Sequence, residues 1–204
     1  MTVYKGLILD FGGVVTTDFY GALDAFGERA GLGAGAFVRA LREVPGGRRA
    51  LAAVERGQIT QREFEQTMGR LLGTDDDGLL ARALADLRPR PEITGLTRRA
   101  RARGVRVAAL SNSLGRGSYD PYDGWDLDEM FDAVVISDQV GLRKPQPEIF
   151  RLTAAKLALA PPECLFVDDT EHNLSGAASL GMGTLLFTGA EAEVAEIERL
   201  IGIA

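Results

Sequence analysis

One cysteine, Cys164, stands alone among 204 residues. That excludes an internal disulfide and any cysteine-rich zinc site. It falls in the apolar run Cys164-Leu165-Phe166-Val167, where it is expected to pack as a small hydrophobe. No uninterrupted apolar segment approaches the roughly 18 residues of a membrane span, and no charged N-terminal stretch leads into one. The expected location is the cytoplasm, where the sequon Asn173-Leu174-Ser175 carries no meaning. Positive charge is in deficit: 23 Lys and Arg against 29 Asp and Glu leave a net charge of −6, opposite to the basic footprint of a nucleic-acid binder. The densest basic run, Arg98 to Arg106, falls at the end of a predicted helix, where cations suit the dipole. Lysine is absent between Asp18 and Arg90, and the chain has no internal repeat and no low-complexity linker.

What is present is the balance of a soluble globular protein, 46% apolar and 25% charged. Five short apolar runs read as buried strands: Val3–Leu9, Val105–Leu110, Ala133–Ile136, Leu165–Val167 and Thr184–Phe187. Helical stretches alternate with them at Pro91–Arg103, Pro147–Leu159, Glu171–Leu180 and Glu191–Ile201. Proline in the first turn and Gly104 or Gly181 past the end fit those bounds. The alternation predicts an α/β fold, a Rossmann-like parallel sheet with helices on both faces.

Residues 18–87 read differently. Thr60-Gln61-Arg62-Glu63 is a capping-box pattern opening a helix that carries Phe64, Met68, Leu71 and Leu72. Asp24–Ala30, Ala36–Val44, Arg48–Arg56 and Asp77–Leu87 also read as helical, with no strand between. The expected organisation is a core of residues 1–17 and 88–204 with an inserted all-helical cap of residues 18–87. Gly31-Leu32-Gly33-Ala34-Gly35 follows a helix rather than a strand, so it reads as a helix–helix turn and not a dinucleotide loop.

Chemistry-bearing residues stand at the C-terminal ends of the predicted strands. The first ends in Asp10-Phe11-Gly12-Gly13, the second in Ser111-Asn112-Ser113, and the fourth in Asp168-Asp169, while Lys144 follows the third. Ligands of open parallel sheets bind beyond those ends. Three converging aspartates repel one another unless a cation intervenes, and carboxylates without histidine or thiolate partners suit Mg²⁺. Lys144 and the Ser111 hydroxyl are placed to hold phosphate oxygens, and a carboxylate facing a clamped phosphorus can act as nucleophile.

Leu7-Ile8-Leu9-Asp10-Phe11-Gly12-Gly13-Val14-Val15, Leu110-Ser111-Asn112, Gly141-Leu142-Arg143-Lys144-Pro145 with Glu148-Ile149-Phe150, and Phe166-Val167-Asp168-Asp169 with Asn173, Gly176 and Ala177 together resemble the four motifs of the haloacid dehalogenase-like hydrolases. The resemblance covers essentially the whole chain and is to the branch with a helical cap after the first motif. It implies a Mg²⁺-dependent phosphatase with Asp10 as nucleophile. Ser111, Asn112, Lys144, Gly12 and Gly13 would contact substrate. Asp10, Asp168, Asp169 and the Gly12 carbonyl would contact the metal. The implied partner is a small phosphorylated molecule, a sugar phosphate among the candidates, bound by a monomer or homodimer.

In one place the chain departs from that pattern. Phosphatases of the family carry a second aspartate two residues after the nucleophile, as acid and base, and here the position is Gly12. General acid–base catalysis contributes about 10²–10⁴-fold, so three readings follow: a phosphatase with another acid or easily expelled leaving groups, a phosphoryl-ligand binder without turnover, or other chemistry of the family. Asp18 and His172 are candidate substitutes, with capping of a helix and solvent exposure as their plainer readings. Retention of Asp168, Asp169 and Lys144 argues against dehalogenation, and the lysine-free insertion argues against a Schiff-base phosphonate mechanism. Phe19 and Tyr20, next to the first motif, are the insertion aromatics expected nearest the substrate. The turn Pro45-Gly46-Gly47-Arg48-Arg49 is placed to present arginines. Gly115–Asp128, rich in aromatics, is expected to line the entrance or to form a packing or dimer contact.

Overall fold

A computed structural model describes residues 3–204. Among the described residues five strands pair in parallel: β1 (Gly6–Leu9), β2 (Arg106–Ser111), β3 (Ala133–Ile136), β4 (Cys164–Asp168) and β5 (Gly183–Leu186). Their spatial order is β3-β2-β1-β4-β5, so the order reverses beside β1, the place where α/β sheets open a crevice. Helices α1 (Phe19–Arg29), α2 (Ala36–Arg42), α3 (Pro45–Val54), α4 (Gln61–Leu72) and α5 (Leu79–Ala83) lie between β1 and β2. Then come α6 (Pro91–Ala102), α7 (Leu127–Met130), α8 (Ser137–Val140), α9 (Pro147–Lys156), α10 (Glu171–Ala178) and α11 (Glu191–Leu200).

Strand alternation divides the core. Leu7, Leu9, Val107, Ala109, Leu165 and Val167 pack with α6 and α11, whereas Ile8, Ala108, Leu110 and Phe166 pack with α9 and α10. Cys164 sits buried in the second of these layers. The fold is thus a parallel α/β sandwich of the Rossmann-like kind. The helical insertion has a hydrophobic cluster of its own, built on Leu23, Phe26, Phe37, Leu41, Val54, Phe64 and Met68, which Leu114 of the sheet side joins. No described helix is long and apolar enough to cross a membrane.

Element bounds differ from the sequence reading where tertiary contact outweighs local pattern. The first strand starts only at Gly6, where pairing with Cys164 begins, and Val3 is 58% exposed. Helix α1 starts five residues earlier than its apolar pattern, because the Asp18 carboxylate accepts the Gly21 N–H at 3.0 Å and caps it. The supposed turn at Pro45-Gly46-Gly47 is the first turn of α3. Proline suits that position, and a Cβ on Gly47 would lie 1.9 Å from the Ala40 carbonyl, so glycine lets α3 pack on α2. The capping box of Thr60 and Glu63 forms as expected, and Gly31, Gly33 and Gly35 make the left-handed turn between α1 and α2.

Candidate functional site

Parallel register carries β1 and β4 to the same level. Leu9 pairs with Val167, and the next residues, Asp10 and Asp168, leave the strand ends side by side, with the Asp10 N–H donating to the Val167 carbonyl at 2.9 Å. The Asp10 carboxylate accepts the Phe11 N–H at 2.7 Å. Lys144 arrives from the loop after α8 with its side chain 1% exposed, and its ammonium sits 2.6 Å from both Asp10 Oδ1 and Asp168 Oδ2. Asn112 holds that lysine in place: its Oδ1 accepts the Lys144 N–H at 2.9 Å, and its Nδ2 donates to the Lys144 carbonyl at 3.3 Å. Asp168 also accepts from Thr170 N–H at 2.8 Å and from Asn173 Nδ2 at 3.0 and 3.1 Å.

Asp169 completes an acidic cluster. One carboxylate oxygen each from Asp10, Asp168 and Asp169 lie within 4.8 Å of one another. Gly13 makes room for it: at φ +95° it adopts a conformation that favours glycine, and a Cβ there would lie 2.1 Å from Asp169 Oδ2. Ser111 ends β2, buried, with its hydroxyl accepting from the Tyr122 phenol at 2.8 Å.

The charge balance is uneven. Burial pushes the Asp10 carboxyl well above its ordinary pKa against the pull of Lys144, and the charges of Asp168 and Asp169 push the same way. Burial likewise raises Asp169 to about 6, helped by Asp168. Burial alone would lower the pKa of Lys144, but Asp10 and Asp168 outweigh it and the net direction is upward. One ammonium therefore faces three carboxylates. A purely oxygen donor set with surplus negative charge and a glycine-made cradle fits a hard divalent cation.

A cavity of about 500 Å³ opens over this cluster, walled on the far side by the helical insertion. Asp10, Gly12, Ser111, Asn112, Lys144 and Asp169 form its floor, and Phe19, Tyr20, Leu41, Leu51, Leu84 and Leu87 give the insertion side an apolar surface. Residues 4–181 match the model of the haloacid dehalogenase-like hydrolases. The chain is a haloacid dehalogenase-like hydrolase.

The hydrolase is 38% identical over 112 residues to mouse acyl-CoA dehydrogenase family member 10, a match covering 55% of this chain and 10% of that protein. It thus spans a small part of that relative. Against the sesquiterpene phosphatase astK of Aspergillus oryzae it is 28% identical over 154 residues, covering 72% of this chain and 77% of that one. Its fold superposes on a HAD family enzyme of Bacteroides thetaiotaomicron solved with magnesium and inorganic phosphate, at a TM-score of 0.66 and 23% identity over 92% of this chain and 96% of that one.

The remaining sequence-derived candidates fall in different places. Gly12 borders the cavity at φ −79° and ψ 116°, a conformation open to any residue, and a Cβ there would meet Phe19 Cβ at a comfortable 3.7 Å. Nothing in the backbone of the hydrolase therefore demands glycine at that position. Asp18 is engaged as the cap of α1, and His172 lies exposed at the cavity wall. The aromatic segment does two things: Tyr122 and Trp125 pack tilted and edge-on against Phe11, with ring centroids at 5.0 and 5.1 Å, while Tyr119 lines the cavity.

Three participants went unread in the sequence. Gln61, 3% exposed in α4, donates to the Gly115 and Tyr119 carbonyls at 3.0 and 2.8 Å and accepts the Tyr119 N–H at 3.1 Å, tying the insertion to the loop after β2. Arg143, read only as part of a motif, pairs with Glu55 of the insertion at 2.6 Å. Glu55 itself follows the last residue of α3 and is 7% exposed. A carboxylate at a helix C-terminus opposes the dipole, and that misfit was the available signal.

Proposed function

We propose that the hydrolase is a Mg²⁺-dependent phosphatase of a small phosphorylated molecule, working through an aspartyl-phosphate on Asp10. The observation that carries this reading is the Lys144 ammonium 2.6 Å from both Asp10 and Asp168, at the floor of a cavity of about 500 Å³. Asp10, Asp168 and Asp169, with the Gly12 carbonyl, would hold the metal, which supplies positive charge to neutralise and orient the phosphate.

The chain's own groups account for the rest. Lys144 aligns Asp10, favours its ionised form against the effect of burial, and offers its remaining N–H to a phosphate oxygen. Asn112 fixes the backbone from which Lys144 projects. The Ser111 hydroxyl, accepting from Tyr122, is left with its own proton to donate to another phosphate oxygen. Attack of Asp10 on phosphorus and expulsion of the alcohol leave a mixed anhydride that water hydrolyses. The helical insertion excludes bulk water from this sequence and contacts the leaving group. Its wall is mixed, with Phe19, Leu41, Leu51, Leu84 and Leu87 beside Tyr20, Arg42, Arg48 and Glu55, and so offers a leaving group both apolar surface and polar partners.

Gly12 favours a second reading, binding of a phosphorylated ligand without turnover. Phosphate release from a panel of aryl, alkyl, sugar and acyl phosphates, with and without Mg²⁺, separates the two. Release that requires both the metal and Asp10, and is lost in Asp10→Asn, supports the phosphatase. Saturable phosphate binding with no release across the panel supports the binder.

A further inference from the structure

Gly12 leaves a gap in the chemistry, and the cavity holds a group able to fill it. Outside the cluster of Asp10 and Asp169, the carboxyl, imidazole and phenol side chains lining the cavity are those of Glu55, His172, Tyr20, Tyr119 and Tyr122. Burial raises the pKa of all three tyrosines, Tyr122 to about 12, so they hold their protons throughout the neutral range. His172 is exposed. Of these, Glu55 alone is a carboxyl, and it is buried where it lines the cavity.

We propose that Glu55, carried by the helical insertion, is the general acid and base that replaces the missing side chain at position 12. The proposal rests on the phosphatase reading.

The geometry supports it from several sides. Glu55 lies 2.6 Å from Arg143, whose neighbour Lys144 grips the nucleophile. The turn after Glu55 is seated directly on α8: a Cβ on Gly57 would lie 2.3 Å from the Asp138 carbonyl, at a φ of +66°. The docking of insertion on core thus carries Glu55 to the cavity that Asp10 also lines. Its placement has no local justification, being acidic, buried and at the wrong end of a helix.

The charges around it tune the group rather than silence it. Burial pushes Glu55 up to about 7, against the pulls of Arg143, Lys144 and Arg56. Tyr20 faces it from α1, and Arg42 and Arg48 line the same cavity from α2 and α3. A carboxyl near neutrality can give a proton in one step and take one in the next.

The proton inventory closes. In the first step Asp10 attacks phosphorus, the bond from phosphorus to the leaving oxygen breaks, and the Glu55 proton passes to that oxygen to give the alcohol. In the second, Glu55 takes a proton from the water that attacks the aspartyl-phosphate. The anhydride bond breaks, and inorganic phosphate and the Asp10 carboxylate are released. The sum is phosphate ester plus water to alcohol plus phosphate.

The test compares leaving groups, because an acid matters most where the leaving oxygen is most basic. We would measure kcat/KM on nitrophenyl phosphate and on an alkyl phosphate for wild type, Glu55→Gln, and Glu55→Gln combined with Gly12→Asp. For Glu55→Gln the nitrophenyl-to-alkyl ratio is expected to rise about 10²-fold, within the range for acid catalysis. Gly12→Asp, for which the backbone leaves room, is expected to return the ratio to within about tenfold of wild type. Equal loss on both substrates, or no recovery in the double variant, would reduce Glu55 to an anchor of the insertion and overturn the proposal alone. Absence of release by the wild type on either substrate would overturn the phosphatase reading and this role together.

Discussion

Lys144→Met tests the electrostatics of the site most severely. Methionine keeps much of the volume but removes the cation 2.6 Å from Asp10 and Asp168, both of them buried. Removing one partner of a buried ion pair costs about 3–5 kcal/mol. For a domain of this size each kcal/mol moves Tm by about 2–4 °C, so the metal-free variant should melt roughly 6–20 °C below wild type at pH 8. The loss should shrink on acidification. Asp10 and Asp169 both have folded pKa values raised above their unfolded ones, so their contribution to stability is complete below the unfolded values and is lost as pH rises, through about 6 for Asp169. At pH 5 protons replace the missing ammonium, and the gap to wild type narrows. Thermal melts by circular dichroism at the two pH values, without divalent metal, read this directly. A Tm drop of under about 2 °C, or an equal drop at both pH values, would refute the account of Lys144 as the counter-charge of this cluster.

Other outcomes follow from the same structure. Mg²⁺ at about 100 times its Kd should stabilise the wild type by about 2.7 kcal/mol at pH 8, and calorimetry should show a smaller gain at pH 5, where Asp10 and Asp169 are further protonated. Gly13→Ala places a Cβ 2.1 Å from Asp169 Oδ2 at an unfavourable φ of +95°, so Mg²⁺ affinity by titration calorimetry should fall at least tenfold, the equivalent of about 1.4 kcal/mol. Gln61→Leu strips the Gly115–Tyr119 loop of three hydrogen bonds to the insertion. The urea midpoint should drop by the equivalent of about 1–3 kcal/mol and KM should rise, since Tyr119 lines the cavity.

The sequence made the floor of the site readable because its residues are local. Asp10, Ser111 and Asp168 each end an apolar run, and the register of a parallel sheet puts strand ends together without further instruction. Lys144 was readable as part of a short motif after β3. The wall of the cavity and the contacts that hold it to the core were not readable in the same way. Glu55, Gln61 and Tyr122 acquire their partners across 88, 54 to 58 and 11 residues of sequence, respectively, and no local pattern names those partners. The misread of Pro45-Gly46-Gly47 as a turn has the same origin. Two glycines look like loop residues until the Ala40 carbonyl of the adjacent helix is known to lie where a side chain would be. Gly12 shows the converse, a glycine that the backbone does not require.

The central claim is that Asp10 attacks phosphorus. Rapid quenching of the hydrolase with Mg²⁺ and nitrophenyl phosphate, followed by mass spectrometry of the peptides, measures it. We expect one phosphoryl group on the peptide that carries Asp10, absent from Asp10→Asn and absent without the metal. A phosphoryl group on another residue, or steady phosphate release with Asp10→Asn as active as wild type, would contradict it.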